Sequence, residues 1–119
     1  DIAFACSALR VAEQRSAPTY LYELERAVPN GPLAQYGAVH GFDYINLFAT
    51  FSEWQITPSA DDDATSAAFQ TAWGALAHGA APWTAAPGYE AIDATSSAGS
   101  GEYRDGRCAT LAALGLPVE

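Results

Sequence analysis

Two short stretches decide how this chain is read: Tyr20-Leu21-Tyr22-Glu23-Leu24 and Gly37-Ala38-Val39-His40-Gly41-Phe42-Asp43. In the first, Tyr20, Tyr22 and Leu24 fall on one face of an extended chain and Leu21 on the other. Both faces are then apolar enough to be buried, the pattern of an inner strand in a covered sheet. A lone strand makes no sheet, so its partners have to come from elsewhere. Pro29, Asn30, Gly31 and Pro32 next impose a loop, and Gly37 prolongs it to His40. Past Gly41, Phe42, Ile45 and Phe48 recur every third residue with Tyr44, Leu47 and Phe51 beside them, which predicts a short, largely buried helix. His40 therefore stands at the exit of a loop, just before a helix.

Working outward, residues 1–15 read as a helix, with Asp1 as N-cap and Phe4, Ala8, Val11 and Ala12 at helical spacing; Pro18 ends it. Downstream, Asp61, Asp62 and Asp63 follow Pro58 and Ser59 and precede an Ala-rich run in which Phe69, Trp73 and Leu76 share a stripe. Acids at the start of such a helix sit favourably against its positive dipole end, so the triple Asp reads as a cap rather than a metal site. Gly79 ends this helix and Pro82 keeps it ended. Residues 83–101 carry Trp83, Pro87 and a Thr-Ser-Ser-Ala-Gly-Ser-Gly tract, and 94–101 reads as a flexible loop. Tyr89–Ile92 reads as a short strand, and residues 107–114 as a last helix bearing Cys108, Leu111 and Leu114, with Gly115 as terminator.

The 119 residues suffice for one small domain and not for two. Half are apolar, yet 26 of these are Ala and only 22 are Leu, Ile, Val or Phe, below the fifth of the chain that a well-filled core needs. A formal charge of -9 with so few large aliphatics is a composition shared with disordered chains. Three Trp, six Tyr and five Phe argue for a fold nonetheless, because aromatic side chains bury large areas and are scarce in disordered segments. The expectation is a real fold whose core is completed by further polypeptide. Negative charge without a Lys/Arg cluster argues against nucleic acid and anionic membrane surfaces as partners. No apolar run approaches the roughly 18 residues of a bilayer span. The opening at Asp1, with neither Met nor a signal-type apolar stretch, reads as a cleavage product or a partial chain.

Cys6 and Cys108 lie near the two ends. Taken by themselves they are either two buried thiols, Cys being among the most often buried residues, or a bridge closing about a hundred residues. The bridge would contribute roughly 4 to 5 kcal/mol in the chain-entropy picture and imply an oxidising compartment. Of the two histidines, His78 sits in the last turn of the Ala-rich helix, where an imidazole suits the negative dipole end. His40 lies between two glycines. A proton-shuttling imidazole has to reach a hydroxyl on one side and an orienting carboxylate on the other, and an exposed loop flanked by small residues is a natural mount for it. By position alone, a structural or merely solvent-exposed histidine is the plainer reading.

The succession of elements resembles the C-terminal quarter of the type B carboxylesterases, the family that contains the cholinesterases. Asp1-Ile2-Ala3-Phe4-Ala5-Cys6, with Arg10 and Ala12 behind it, is similar to the helix in which that family places a half-cystine. Tyr20-Leu21-Tyr22-Glu23-Leu24 resembles its Tyr-x-Tyr-x-Phe strand. Gly37-Ala38-Val39-His40-Gly41-Phe42-Asp43, then Phe48, resembles the Gly-x-x-His-Gly-x-Glu segment whose histidine is the general base. Phe69-Gln70-Thr71-Ala72-Trp73, then Ala77, Gly79 and Pro82, looks like the helix that ends in a Gly-Asp-Pro turn. Pro82-Trp83 through Pro87-Gly88-Tyr89 resembles the Trp-Pro-x-Tyr stretch, and Cys108 falls where the second half-cystine lies. Departures are Asp43 in place of Glu, Ala80-Ala81 in place of the Asp before Pro82, and several residues separating Trp83 from Pro87.

The resemblance implies an α/β chain, residues 1–119 forming the C-terminal segment of a single α/β-hydrolase domain: helices, one or two core strands and short C-terminal strands, completed by an absent upstream chain. It implies a secreted or periplasmic serine esterase with a Cys6–Cys108 disulfide and neither cofactor nor metal. In it His40 would be the general base, supported by Asp43 and Gly41, acting in the chain order Ser, acid, His on a small ester. Phe42 and Tyr44, with the aromatic cluster that runs to Trp54, would either line the substrate pocket or pack in the core. The serine and acid would come from an upstream chain or fragment. Gly99-Ser100-Gly101 is no Gly-x-Ser-x-Gly elbow, so this chain alone is expected to hydrolyse no ester. Two rival readings are an esterase-like adhesion or binding module that has lost the serine, and an unrelated small α+β binding domain.

Overall fold

Ser59 opens the longest element, and the reason is local chemistry. Its backbone N–H donates to Asp62 Oδ2 at 2.7 Å, while the Asp62 N–H points back at Ser59 Oγ at 3.4 Å, a reciprocal capping box. Two of the N–H groups that a helix start leaves without partners are thereby satisfied. The structure, a computed structural model, describes residues 2–99 and 102–115. The expected N-cap Asp1, and Ser100 and Gly101 of the Ser/Gly tract, lie outside them.

Among the described residues the chain forms four α-helices, α1 (Ser7–Gln14), α2 (Phe42–Phe48), α3 (Ala60–Ala77) and α4 (Arg107–Ala113). Three strands, β1 (Leu21–Leu24), β2 (Tyr89–Ile92) and β3 (Ser96–Ala98), make one sheet in the order β1-β2-β3. Ala86 donates to the Thr19 carbonyl and Glu25 to the Ile92 carbonyl, at the same sequence offset, so β1 and β2 run parallel. Gly99 donates to the Tyr89 carbonyl and Asp93 to Thr95, pairs that converge on a turn, so β2 and β3 run antiparallel. The sheet is therefore mixed. Within the stretch expected to be a flexible loop, residues 96–98 (Ser-Ser-Ala) are a strand, because pairing with β2 outweighs their weak strand propensity. No helix among the described residues is long and apolar enough to cross a membrane.

The fold divides into two units. One comprises Asp1–Tyr22, Trp83–Glu90 and Ala98–Glu119. Here a π-helical turn, Ile2–Cys6, leads into α1, and Cys6 is bonded to Cys108 of α4, both sulfurs buried. The bridge decides between the two readings of the cysteines and fits an oxidising compartment. Tyr89 and Tyr103 meet edge to face with ring centres 5.4 Å apart, and Tyr22 and Trp83 do the same at 6.1 Å. The expected apolar stripe of the first helix is only partly covered: Ala12 is buried, while Phe4 and Val11 stand exposed. Helical spacing fixes which residues share a face and says nothing of what packs upon it.

The second unit comprises Glu23–Pro82 and Ala91–Ser97. Its core is Val28, Phe42, Ile45, Phe51 and Ile56, with Leu24, Leu33 and Val39 packed against it. Phe42 meets Phe51 edge to face at 6.4 Å. The helices α2 and α3 pack together, and Phe69 of α3 is fully buried with Trp73 beside it at 5.3 Å. Leu76, the third member of the expected stripe, is exposed. Gly79 closes α3 in the left-handed region, as read from the sequence.

Candidate functional site

Arg26 begins the loop that carries the chain from β1 to His40, and it is tied down at once. Its Nε donates to Asp62 Oδ1 at 2.8 Å and its Nη2 to Ser59 Oγ at 3.0 Å, while Nη1 lies 3.5 Å from both Asp61 and Asp93. The Asp62 carboxylate is fully buried and also accepts the Ser59 hydroxyl at 2.6 Å. Burial pushes the Asp62 pKa up, but the Arg26 hydrogen bond, the Ser59 hydroxyl and N–H, and the Arg26 charge together hold it below its ordinary value. The hydrogen bond that Arg26 donates to Asp62 in turn raises the Arg26 pKa, against the opposing effect of burial. Of the three acids read as a helix cap, Asp62 makes the cap and Asp61 and Asp63 stay exposed.

Beyond Arg26 the loop is closed by the Val28 N–H, which donates to the Gly37 carbonyl at 3.0 Å. A 3-10 turn, Ala34–Tyr36, fills the loop, and His40 follows three residues after Gly37. Gly41, next to His40, is the N-cap of α2 with φ 90°, a conformation that costs glycine little and strains any residue with a Cβ. The chain can thus turn sharply from loop to helix at His40. Asn46 locks the same helix from inside, its Nδ2 donating to the Phe42 carbonyl at 2.8 Å.

The His40 side chain is exposed, and it borders an apolar groove of about 210 Å³. Leu33, Val39, Phe42 and Ile45 form the inner lining; Tyr44, Phe48 and Trp54, each at least half exposed, and Thr50 form the rest. No Asp, Glu, Lys or Arg side chain is among the lining residues. In chemical terms this is a solvent-exposed imidazole beside a concave apolar surface that would favour a hydrocarbon group over a charged one.

Of the residues singled out from sequence, His40, Gly41, Phe42 and Tyr44 come together at this groove. Phe42 belongs to core and groove at once, being fully buried and also among the residues that line the cavity. Asp43 lies in the first turn of α2, half-buried, and does not line the groove. His78 stands exposed as the C-cap of α3. Leu33 and Thr50 were not legible as lining residues, because each comes from a loop with no periodic pattern. The Arg26 cluster was legible in half: the Ser-x-x-Asp spacing of Ser59 and Asp62 announces a cap, but nothing local points to a guanidinium 36 residues upstream. No family model, no curated protein and no solved structure matches this chain.

Proposed function

We propose that this chain supplies the general-base histidine, His40, of a carboxylic ester hydrolase of the Ser-acid-His type, the serine and acid being carried by other polypeptide of a type B carboxylesterase-like α/β-hydrolase domain. The observation that supports it is the mount of His40. An exposed imidazole stands at the exit of a loop pinned at both ends, between glycines, on the border of an uncharged apolar groove. A base of this kind takes the serine proton as the serine attacks the ester carbonyl and returns a proton to the departing alcohol. The groove would hold a hydrocarbon part of the substrate. A non-catalytic binding module is the second reading, favoured by the outward-facing rings of Tyr44, Phe48 and Trp54, which would serve as well to grip a partner.

The test is His40→Ala in the assembled protein, with a chromogenic acyl ester as substrate. The loss expected is at least about 10³-fold in kcat, since removal of a triad member leaves only binding and oxyanion stabilisation. Circular dichroism should be unchanged, His40 being exposed. A turnover within a few-fold of the parent would remove His40 from the mechanism, and a residue other than Ser at the nucleophile position would select the binding module.

A further inference from the structure

The loop between β1 and His40 is held not only at Arg26 and at the Val28–Gly37 closure but also midway, by a side chain that imitates a peptide group. Asn30 Nδ2 donates to the Thr57 carbonyl at 2.7 Å, and Asn30 Oδ1 accepts the Thr57 N–H at 2.8 Å. One residue's backbone donor and acceptor are thus both met by one planar amide, as a neighbouring strand would meet them. Only a side chain with a donor and an acceptor side by side can do this. A carboxylate in the same place would set an oxygen against the Thr57 carbonyl.

The next residue tightens the seat. Gly31, at φ 81°, lies so close to the Gln55 carbonyl that a Cβ there would stand 2.7 Å from its oxygen. Residues 30–31 are therefore docked on 55–57, whose Ile56 is part of the buried core. From that seat the chain has one short closed loop to run before Val39, which packs on the same core, and then His40.

We propose that Asn30 is a positioning residue: its paired bonds to Thr57 fix the loop that delivers the His40 imidazole. The inference rests on the reading of His40 as general base. An imidazole has to meet both the serine oxygen and its orienting acid within a fraction of an ångström, and a displacement of about 1 Å costs on the order of 10²-fold in rate. The loop's anchor is then as much a determinant of turnover as the ring.

Asn30→Asp in the assembled protein tests it, with kcat expressed per reactive serine, counted by burst titration with a chromogenic phosphonate ester. Expected are a 10- to 100-fold fall in kcat per titrated site, a KM within about twofold of the parent, and a variant-to-parent ratio of kcat that climbs as the pH is lowered. The climb follows because a protonated carboxyl regains the donor that Thr57 needs. Gly31→Ala, which forces the same seat apart from the neighbouring residue, should give the same fall in kcat without the pH-dependent recovery. A purely structural role would lower the number of titrated sites and leave kcat per site and the pH profile as in the parent; that result overturns the inference. So does failure of both variants to accumulate as folded protein. Should His40→Ala itself stay active, the general-base reading falls first. Should His40→Ala be inactive while both loop variants keep parental kcat per site, the general-base reading stands and the role of Asn30 does not.

Discussion

Replacing Arg26 by Met asks how much of the fold depends on one ion pair, and the structure gives a magnitude. The Asp62 side chain is wholly buried and that of Arg26 is 17% exposed, so the pair is screened far less than a surface bridge. Met fills much of the same space while removing one charge-assisted hydrogen bond to a buried carboxylate, worth about 1.5 to 3 kcal/mol. It also leaves that carboxylate to be held by Ser59 alone, and breaking one side of a buried pair costs about 3 to 5 kcal/mol in total. A loss near 3 kcal/mol at pH 7 is expected. The sign with pH follows from Asp62. Its folded pKa lies below the unfolded one, so the parent keeps this contribution in full above the ordinary carboxyl value of about 4 and loses it as the pH falls from there through the lower folded value. In the variant, burial is no longer opposed by the guanidinium, and the carboxyl takes up a proton more readily when folded than in the parent. The gap between the two proteins is thus widest near neutrality and narrows towards pH 3. Urea titrations at pH 7, 5 and 3, followed by ellipticity at 222 nm with the disulfide intact, measure it, because the 18-residue α3 capped by Asp62 dominates that signal. Asp62→Asn, without a titrating group, should lack the acid-side decline that Asp62 contributes. A gap below about 1 kcal/mol at pH 7, or one indifferent to pH, would refute the reasoning.

Two further expectations concern the other unit. Reduction should raise the intact mass by two hydrogens, and Cys6→Ser with Cys108→Ser should cost up to about 4 to 5 kcal/mol, since the bridge spans 102 residues; an unchanged mass or an unshifted urea midpoint would argue otherwise. Gly99→Ala would drive a Cβ into the Tyr89 ring, which is itself packed on Tyr103, and should cost about 1 to 3 kcal/mol with a change in the near-ultraviolet tyrosine signal. An unaltered thermal midpoint would mean that the Tyr89–Gly99 contact is looser than described.

What could be read from sequence was what is decided within a few residues. The helix α3 announces itself through Ser59, its acids, an Ala-rich run and Gly79; α2 through the three-residue recurrence of Phe42, Ile45 and Phe48; His40 through its flanking glycines. What could not be read depends on partners far along the chain. Parallel pairing of β1 with β2 brings together residues separated by two helices, and no local signal encodes it. The strand β3 emerges from a Ser- and Gly-rich tract because β2 offers a ladder, a fact absent from composition. Arg26 and Asn30 look like ordinary loop residues until α3 and residues 55–57 are in place. The disulfide was open on the residues alone and was favoured only by resemblance.

The placement of these restraints bears on what the molecule is for. The restraints on the loop before His40, from Arg26 on Asp62 through Asn30 on Thr57 to the packing of Val28 and Val39, lie in the second unit and depend on hydrogen bonds and a small apolar core. The disulfide, the Tyr89–Tyr103 pair and α4 lie in the first. A loop whose only duty was to join β1 to α2 would need neither an amide that pairs with a peptide nor a guanidinium shared among four side chains, since surface connections of this length are usually left with few restraints. So much restraint behind an exposed, uncharged groove is what a site needs when the position of one imidazole matters more than the stability of the segment that carries it. An adhesive surface makes no such demand, because aromatic rings such as Tyr44, Phe48 and Trp54 bind through area and tolerate small displacements. The pinned loop is therefore the feature on which we propose a base in a reaction rather than a grip on a partner.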